Sequence, residues 1–289
     1  DDDPAERLEL LEEYLSEFSE RDISTQVQTQ KLTIEEPQHV KLGFPASSSD
    51  DEEGGQHMVS VNWLLTETPP SPRDELGLAV LDHLLLGTST SRLRKALTDS
   101  GLGESVVGGG LSDELVQPTY SVGLKGVAKD DVPKVEKLVV DTLTTLADEG
   151  FASDDLEASL NTIEFSLREF NTGSFPKGLS FMLGMMRNWI YERDPVDALR
   201  FEQPLADLKK ELSKDANAYF AKLLKTLLVD NTHRVTIEMT PDEGMEDAQK
   251  QEEASRLAAL RDEMSPEQLD AVAKKAARLK EIQSTPDSP

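Results

Sequence analysis

The side chains best suited to bind a metal or pass a proton are four histidines, His39, His57, His83 and His233, in a chain of 289 residues without cysteine. Protein zinc sites are built from Cys, His and carboxylate ligands, and helical zinc-peptidase motifs need two histidines a few residues apart with a glutamate beside them. No two of these histidines are so spaced, so neither H-E-x-x-H nor its inverse H-x-x-E-H occurs. The sequence therefore predicts no metal ligand, no catalytic residue and no cofactor-binding residue within this chain. The lack of thiols also removes every thiolate site and any disulfide framework, and it suits a reducing compartment.

Asp82 and His83 are neighbours with Ser89 and Ser91 close behind, which are the residue types of a nucleophilic triad. A triad needs convergence on one point, which adjacency on one helix does not supply, so His83 is expected to be a hydrogen-bonded helix residue. The stretch Gly101–Gly110 lacks the Lys-Ser/Thr pair of a phosphate-binding loop. Its glycines 108 to 110 are expected to allow a bulge or a close backbone approach in a strand, the alternative being a bare strand bordering a peptide-binding space. Met182, Met185 and Met186 with Trp189 are spaced for a helix packed in a core, with an adaptable binding surface as the alternative. The acidic run Ser49–Glu53 lacks the positional pattern of a calcium loop and reads as a surface loop.

Charge narrows the partners. Thirty Lys and Arg face 56 Asp and Glu, a formal net charge of -26, so a nucleic-acid partner is excluded and basic ligands are favoured. No run of 18 apolar residues occurs, so no membrane insertion is expected, and Asp1 to Asp3 are the opposite of a basic targeting sequence.

The elements that would carry these residues follow from periodicity. Leu8, Leu11, Leu15 and Phe18 form a helical stripe. Val40, Leu42 and Phe44, and then Val59, Val61, Trp63 and Leu65, alternate as two strands around the loop Ser47–Gly55. A mostly apolar helix is predicted over 73–86, a short one over 92–99, and a hairpin from strands 105–111 and 120–127. Helices follow around Val132–Val139, over Leu156–Phe170 with Ser153 as N-cap, from Pro176 to Ile190, and over 216–228, before a strand through Val235, Ile237 and Met239. The acidic stretch 242–263 is weakly periodic, whereas Ser265, Pro266 and Gln268 form the capping box of a clean terminal helix striped with Leu269, Val272, Ala276 and Leu279. This order predicts an α+β fold: a mainly antiparallel sheet with helices layered on one face, followed by a helical linker segment. One sheet face is left free to line a cavity.

Five stretches carry a resemblance: His57–Leu65 (HMVSVNWLL), Leu81–Thr88 (LDHLLLGT), Ser112–Pro118 (SDELVQP), Asn161–Glu169 with Asn171–Pro176 (NTIEFSLRE, NTGSFP), and His233–Met239 (HRVTIEM). In this order they resemble the second domain of plant-type presequence proteases, members of the inverzincin, pitrilysin-like metallopeptidases. The resemblance implies residues 1–23 as the tail of a preceding domain, 24–241 as a non-catalytic α+β domain, and 242–289 as linker and first arm of a helical hairpin. It also implies zinc in the intact enzyme and none bound by this segment, because the zinc motif and the substrate-engaging residues of the family belong to its first and fourth domains. The expected partners are the remaining domains of the same enzyme and basic unstructured peptides, and the expected location is the mitochondrial matrix and/or the chloroplast stroma. A naturally zinc-free scaffold related to processing peptidases, and a free-standing acidic chaperone for basic peptides, are the alternative readings.

Overall fold

The computed structural model describes residues 3–22, 28–46 and 57–286. The acidic run 49–53 and most of the loop around it lie outside them, as do Asp1, Asp2, the expected domain boundary at residue 24 and the last three residues. Contacts separate the chain into two units, one of Asp1–Lys31 with Thr172–Arg200 and one of Leu32–Asn171 with Phe201–Pro289.

The larger unit is built on a five-stranded sheet in the order β1-β5-β2-β4-β3. Its strands are β1 (Gln38–Pro45), β2 (His57–Leu64), β3 (Ser105–Ser112), β4 (Thr119–Val127) and β5 (Arg234–Asp242). Three neighbouring pairs are antiparallel and β1 runs parallel to β5. β1 and β2, adjacent in sequence, are thus not adjacent in the sheet, since the returning β5 inserts between them. β3 and β4 form the expected hairpin, with a register shift between Val107 and Gly110.

One face of this sheet is buried by helices. Val59, Val61 and Trp63 from β2 and Tyr120, Val122 and Leu124 from β4 are nearly inaccessible. Against them pack α2 (Pro72–Asp82), α3 (Arg92–Asp99), α4 (Val132–Glu149) and α7 (Glu202–Leu224), which contribute Leu81, Leu93, Leu97, Val135, Val139, Leu143, Leu146, Leu208 and Phe220. α2 starts at Pro72 and is capped by Ser71, whose hydroxyl accepts the Asp74 N–H. It runs on as a π-helical turn, His83–Gly87. A second π turn, Lys225–Val229, ends α7. Its Leu228 carbonyl accepts the buried Trp63 Nε1–H at 3.0 Å, and Asn231 ties the Leu227 carbonyl to that of Leu64.

Several expectations need correction. α5 (Ser153–Glu169) is capped by Ala152 without a side-chain bond, and Ser153 is its first helical residue. α7 begins 14 residues before the expected start at 216, and its backbone leaves helical geometry at Asp215, where periodicity alone restarts the count. Within the expected helical linker segment, the weakly periodic acidic stretch forms α8 (Met245–Glu263). It is exposed from Glu246 to its end, so it carries no buried apolar stripe for a pattern to detect. The capping box of α9 (Pro266–Ser284) forms as expected.

In the smaller unit lie α1 (Pro4–Leu15) and α6 (Lys177–Trp189). The core expected around Met182, Met185, Met186 and Trp189 is not formed: Trp189 is 67% exposed, Leu179, Met182, Leu183 and Met186 are also exposed, and Met185 is only half-buried. Helical spacing identifies a face that avoids water without identifying what covers it.

Candidate functional site

The four histidines are dispersed. His39 stands on β1, 3.4 Å from Glu136 of α4. His57, buried at the start of β2, has its Nδ1 3.6 Å from Glu238 of β5. The His83 Nδ1 lies 2.9 Å from the hydroxyl of buried Ser159 on α5. The His233 Nδ1 accepts the Ile34 N–H at 3.3 Å. Each imidazole has its own neighbour, and among the described residues no group of three or more His, Asp or Glu side chains is arranged to hold a metal ion. The donor set of a zinc site is therefore not assembled by these residues.

The residues of the would-be triad turn to different tasks. Ser91 donates to the His83 carbonyl at 3.0 Å and accepts the Thr88 N–H at 3.0 Å, so it fixes a turn. Asp82 points the other way, accepting the Leu111 N–H of β3 at 3.1 Å. Burial pushes the Asp82 carboxyl above the usual aspartate range, while the Leu111 bond, Tyr120, His83 and Arg94 pull it back. Burial, with the Asp82 charge beside it, raises the Tyr120 phenol well above its ordinary value. That hydroxyl feels the carboxylate but meets no partner at hydrogen-bonding geometry.

The glycines of β3 behave as a bulge. Gly108 and Gly110 have positive φ values of 91° and 68°, open to glycine at no steric cost. Gly108 and Gly109 are exposed on the edge strand of the sheet.

The least expected feature is the polarity of β1 and β5. In a half-buried strand the apolar residues ordinarily face the protein's own core. Register places Val40 and Leu42 of β1, Val235, Ile237 and Met239 of β5 and Met58 of β2 on the side opposite the buried row Val59, Val61 and Trp63. The charged partners point inward, toward the helix layer. There Glu238 pairs with Lys41 at 2.9 Å, and Glu136 lies 3.4 Å from the Arg234 Nε. The Arg234 guanidinium stands 6.0 Å from the Trp63 ring centroid, within reach of a cation–π attraction. The outward apolar residues stay accessible, Val40 at 39%, Leu42 at 47% and Met58 at 37%. Across the paired residues of all five strands, Lys125 is the one charged side chain on this open face. The alternation was visible in the sequence, but which half of it faced the helices was not.

This open, apolar and nearly uncharged sheet face, flanked by the bare glycine edge of β3, is the candidate functional surface. It offers apolar contact and an edge suited to backbone pairing with an extended chain, with Lys125 as its one charged side chain.

The family model described as Peptidase M16 inactive domain matches residues 1–163, and a second, for the region associated with subfamily C of the M16 peptidases, matches residues 239–289. The chain is similar to presequence protease 1, chloroplastic/mitochondrial, of Arabidopsis thaliana, with 47% identity over all of this chain and 27% of that protein. Its identity to the HypA protein of Clostridium perfringens is 30%, over 99% of this chain and 29% of the relative. The chain thus spans between a quarter and a third of these relatives. A solved structure described as a predicted insulinase family protease from Yersinia pestis superposes with a TM-score of 0.55 at 15% identity, covering 83% of this chain and 50% of that one. The likeness shows a shared α+β fold. With more than half of its length matched, this chain belongs to the M16 peptidase family, as an inactive domain of it.

Proposed function

We propose that this chain serves as wall and hinge of a zinc metalloendopeptidase that degrades cleaved targeting peptides and other short unstructured peptides, and that it is inactive alone. The observation that carries the reading is the identity of nearly one half, along the whole chain, with a presequence protease. In this reading residues 1–23 close a preceding domain, 24–241 form the inactive domain and 242–289 begin a connecting helical hairpin. Zinc and its general base are supplied by another part of the same polypeptide, and the enzyme works in the mitochondrial matrix and/or the chloroplast stroma.

The sheet face supports this assignment physically. A wall that handles many sequences needs contact without fixed charge partners, and the stripe from Val40 to Met58 supplies apolar contact on a face with one cation. The surplus of acidic residues elsewhere attracts basic peptides from a distance, because targeting peptides are rich in Arg and poor in acid.

Two measurements on the intact enzyme test this. Replacing the stripe with neutral polar side chains, as Leu42→Asn with Met58→Gln, is expected to raise KM for an unstructured peptide about 10-fold, with kcat nearly unchanged, since the change removes binding and not chemistry. Capture of an Arg-rich peptide is expected to weaken from low to high salt, as screened attraction must. Unchanged KM in the double variant, or peptide cleavage with tight zinc uptake by these 289 residues alone, would reject the reading.

A further inference from the structure

We propose that Asp82 is a positioning residue: its carboxylate clasps the glycine bulge of β3 and thereby sets how the open edge of the sheet is presented. The placement is specific. Asp82 closes α2, and its Oδ1 accepts the Leu111 N–H at 3.1 Å immediately after the bulge. A β-carbon at Gly110 would lie 2.2 Å from that same oxygen, so the carboxylate rests against the bare Cα of a residue held at positive φ. Gly109, one residue earlier, has nothing within 4 Å of where its β-carbon would stand. The clasp therefore grips one side of the bulge and leaves the other side bare.

The bulge has a consequence for the ladder. β3 pairs with β4 through Val107 and Gly123, and resumes only at Gly110 and Ser121. Residues 108 and 109 are thus displaced from regular pairing, and a backbone displaced in this way needs a fixed point to hold one conformation. Leu111 bonded to Asp82 is that point.

The charged or titratable groups that act on the carboxylate are His83 beside it, Arg94 from α3 and Tyr120 from β4. Arg94 is engaged by its Nε with the Leu86 carbonyl at 2.7 Å, so it acts on Asp82 through space. Burial opposes the charge that strengthens the clasp. Because the folded-state value lies above the unfolded one of about 3.9, Asp82 detracts from stability above its folded pKa. This cost is relieved as pH falls through that value. A charge that costs stability and yet anchors a strand is placed for geometry.

The reading of β3 as a border of the peptide space explains why its shape matters, but the clasp is tested on this chain alone, without peptide or zinc. Failure here leaves the peptidase reading standing. NMR of the labelled chain follows the Asp82 carboxyl carbon and the Gly110 and Leu111 amides from neutral pH downward. All three are expected to titrate together, with a midpoint above the ordinary aspartate value. Asp82→Asn keeps an acceptor for Leu111, so its amide exchange is expected to stay within about 2-fold of the parent and its Tm at neutral pH to be no lower. Asp82→Ala is expected to speed exchange of the Leu111 amide at least 10-fold, with the amides of Val59 and Val61 unchanged. The clasp is overturned if Leu111 exchanges as in the parent in Asp82→Ala, or if Asp82→Asn loosens it as much. Should the alanine variant not fold, amides at 110 and 111 that ignore the titration of Asp82 overturn it equally.

Discussion

Gly123→Ala is expected to destabilise the chain by about 3 kcal/mol, the upper end for forcing one extra carbon into a packed site. A β-carbon at this position would lie 1.8 Å from the Val59 carbonyl oxygen and 2.7 Å from the Ser60 Cα. Both are backbone atoms of β2, and Gly123 is the register partner of Ser60 in the central β2–β4 pair. A side chain could rotate aside, but a ladder strand can yield only by giving up its hydrogen bonds. Gly109→Ala is the matched control. Its β-carbon meets nothing, so its cost should stay within about 0.5 kcal/mol, as for surface substitutions in general. Urea unfolding of the two variants beside the parent checks the contrast. Equal midpoints for Gly123→Ala and the parent would mean that β2 and β4 are not packed as described.

How much of this was legible in the sequence depends on what each signal reports. Alternation in Val59, Val61 and Trp63 gave a strand with its buried side, and the hairpin of β3 and β4 followed from two runs around one loop. Alternation in β1 and β5 gave strands but did not say which side meets the helices. Period two says that a strand has two unlike faces, and only packing decides which meets the helices. Here Glu136 of α4, reaching His39 and Arg234, supplies the partners that let the charged side turn inward. No local pattern encodes a carboxylate arriving from a helix about 100 positions away from each.

The same limit governs the candidate surface. An apolar stripe on a free sheet face reads in sequence like half of a core, and so does the face of α6 with Met182 and Trp189. Both come from residues spaced to avoid water. The stripe becomes recognisable only when the other face of β2 and β4 is seen to be covered by α2, α3, α4 and α7. The partners of Asp82 and His83 were hidden for a different reason, although His83 is the hydrogen-bonded helix residue expected. Adjacent positions at the end of α2 send one side chain to β3 and the other to α5, and spacing along one helix does not report either destination.

Trp63→Ala should cost about 3–5 kcal/mol, the range for removing a buried aromatic side chain. Burial and two contacts meet in this ring. It is 2% exposed, it packs edge-on to Tyr120 with centroids 6.3 Å apart, and its Nε1–H holds the Leu228 carbonyl at the end of α7. Truncation opens a cavity beneath the sheet and also leaves that carbonyl unpaired away from water, a penalty of about 1–3 kcal/mol by itself. Trp63→Phe separates the two parts, because it retains most of the apolar contact while removing the donor, so it should fall roughly 2 kcal/mol below the parent. A domain of this kind has about 5–15 kcal/mol in total, so the alanine variant stands near the edge of folding and its Tm should drop steeply. The loss should also reach the candidate surface. Arg234 faces the Trp63 ring from β5, the strand that carries Val235, Ile237 and Met239 outward. Without the ring, amide protection in β5 should fall before that in β4, which keeps Val122 and Leu124 in the core. Equal loss in both strands would mean that Trp63 supports the sheet as a whole, and that the outward stripe owes nothing particular to the residue beneath it.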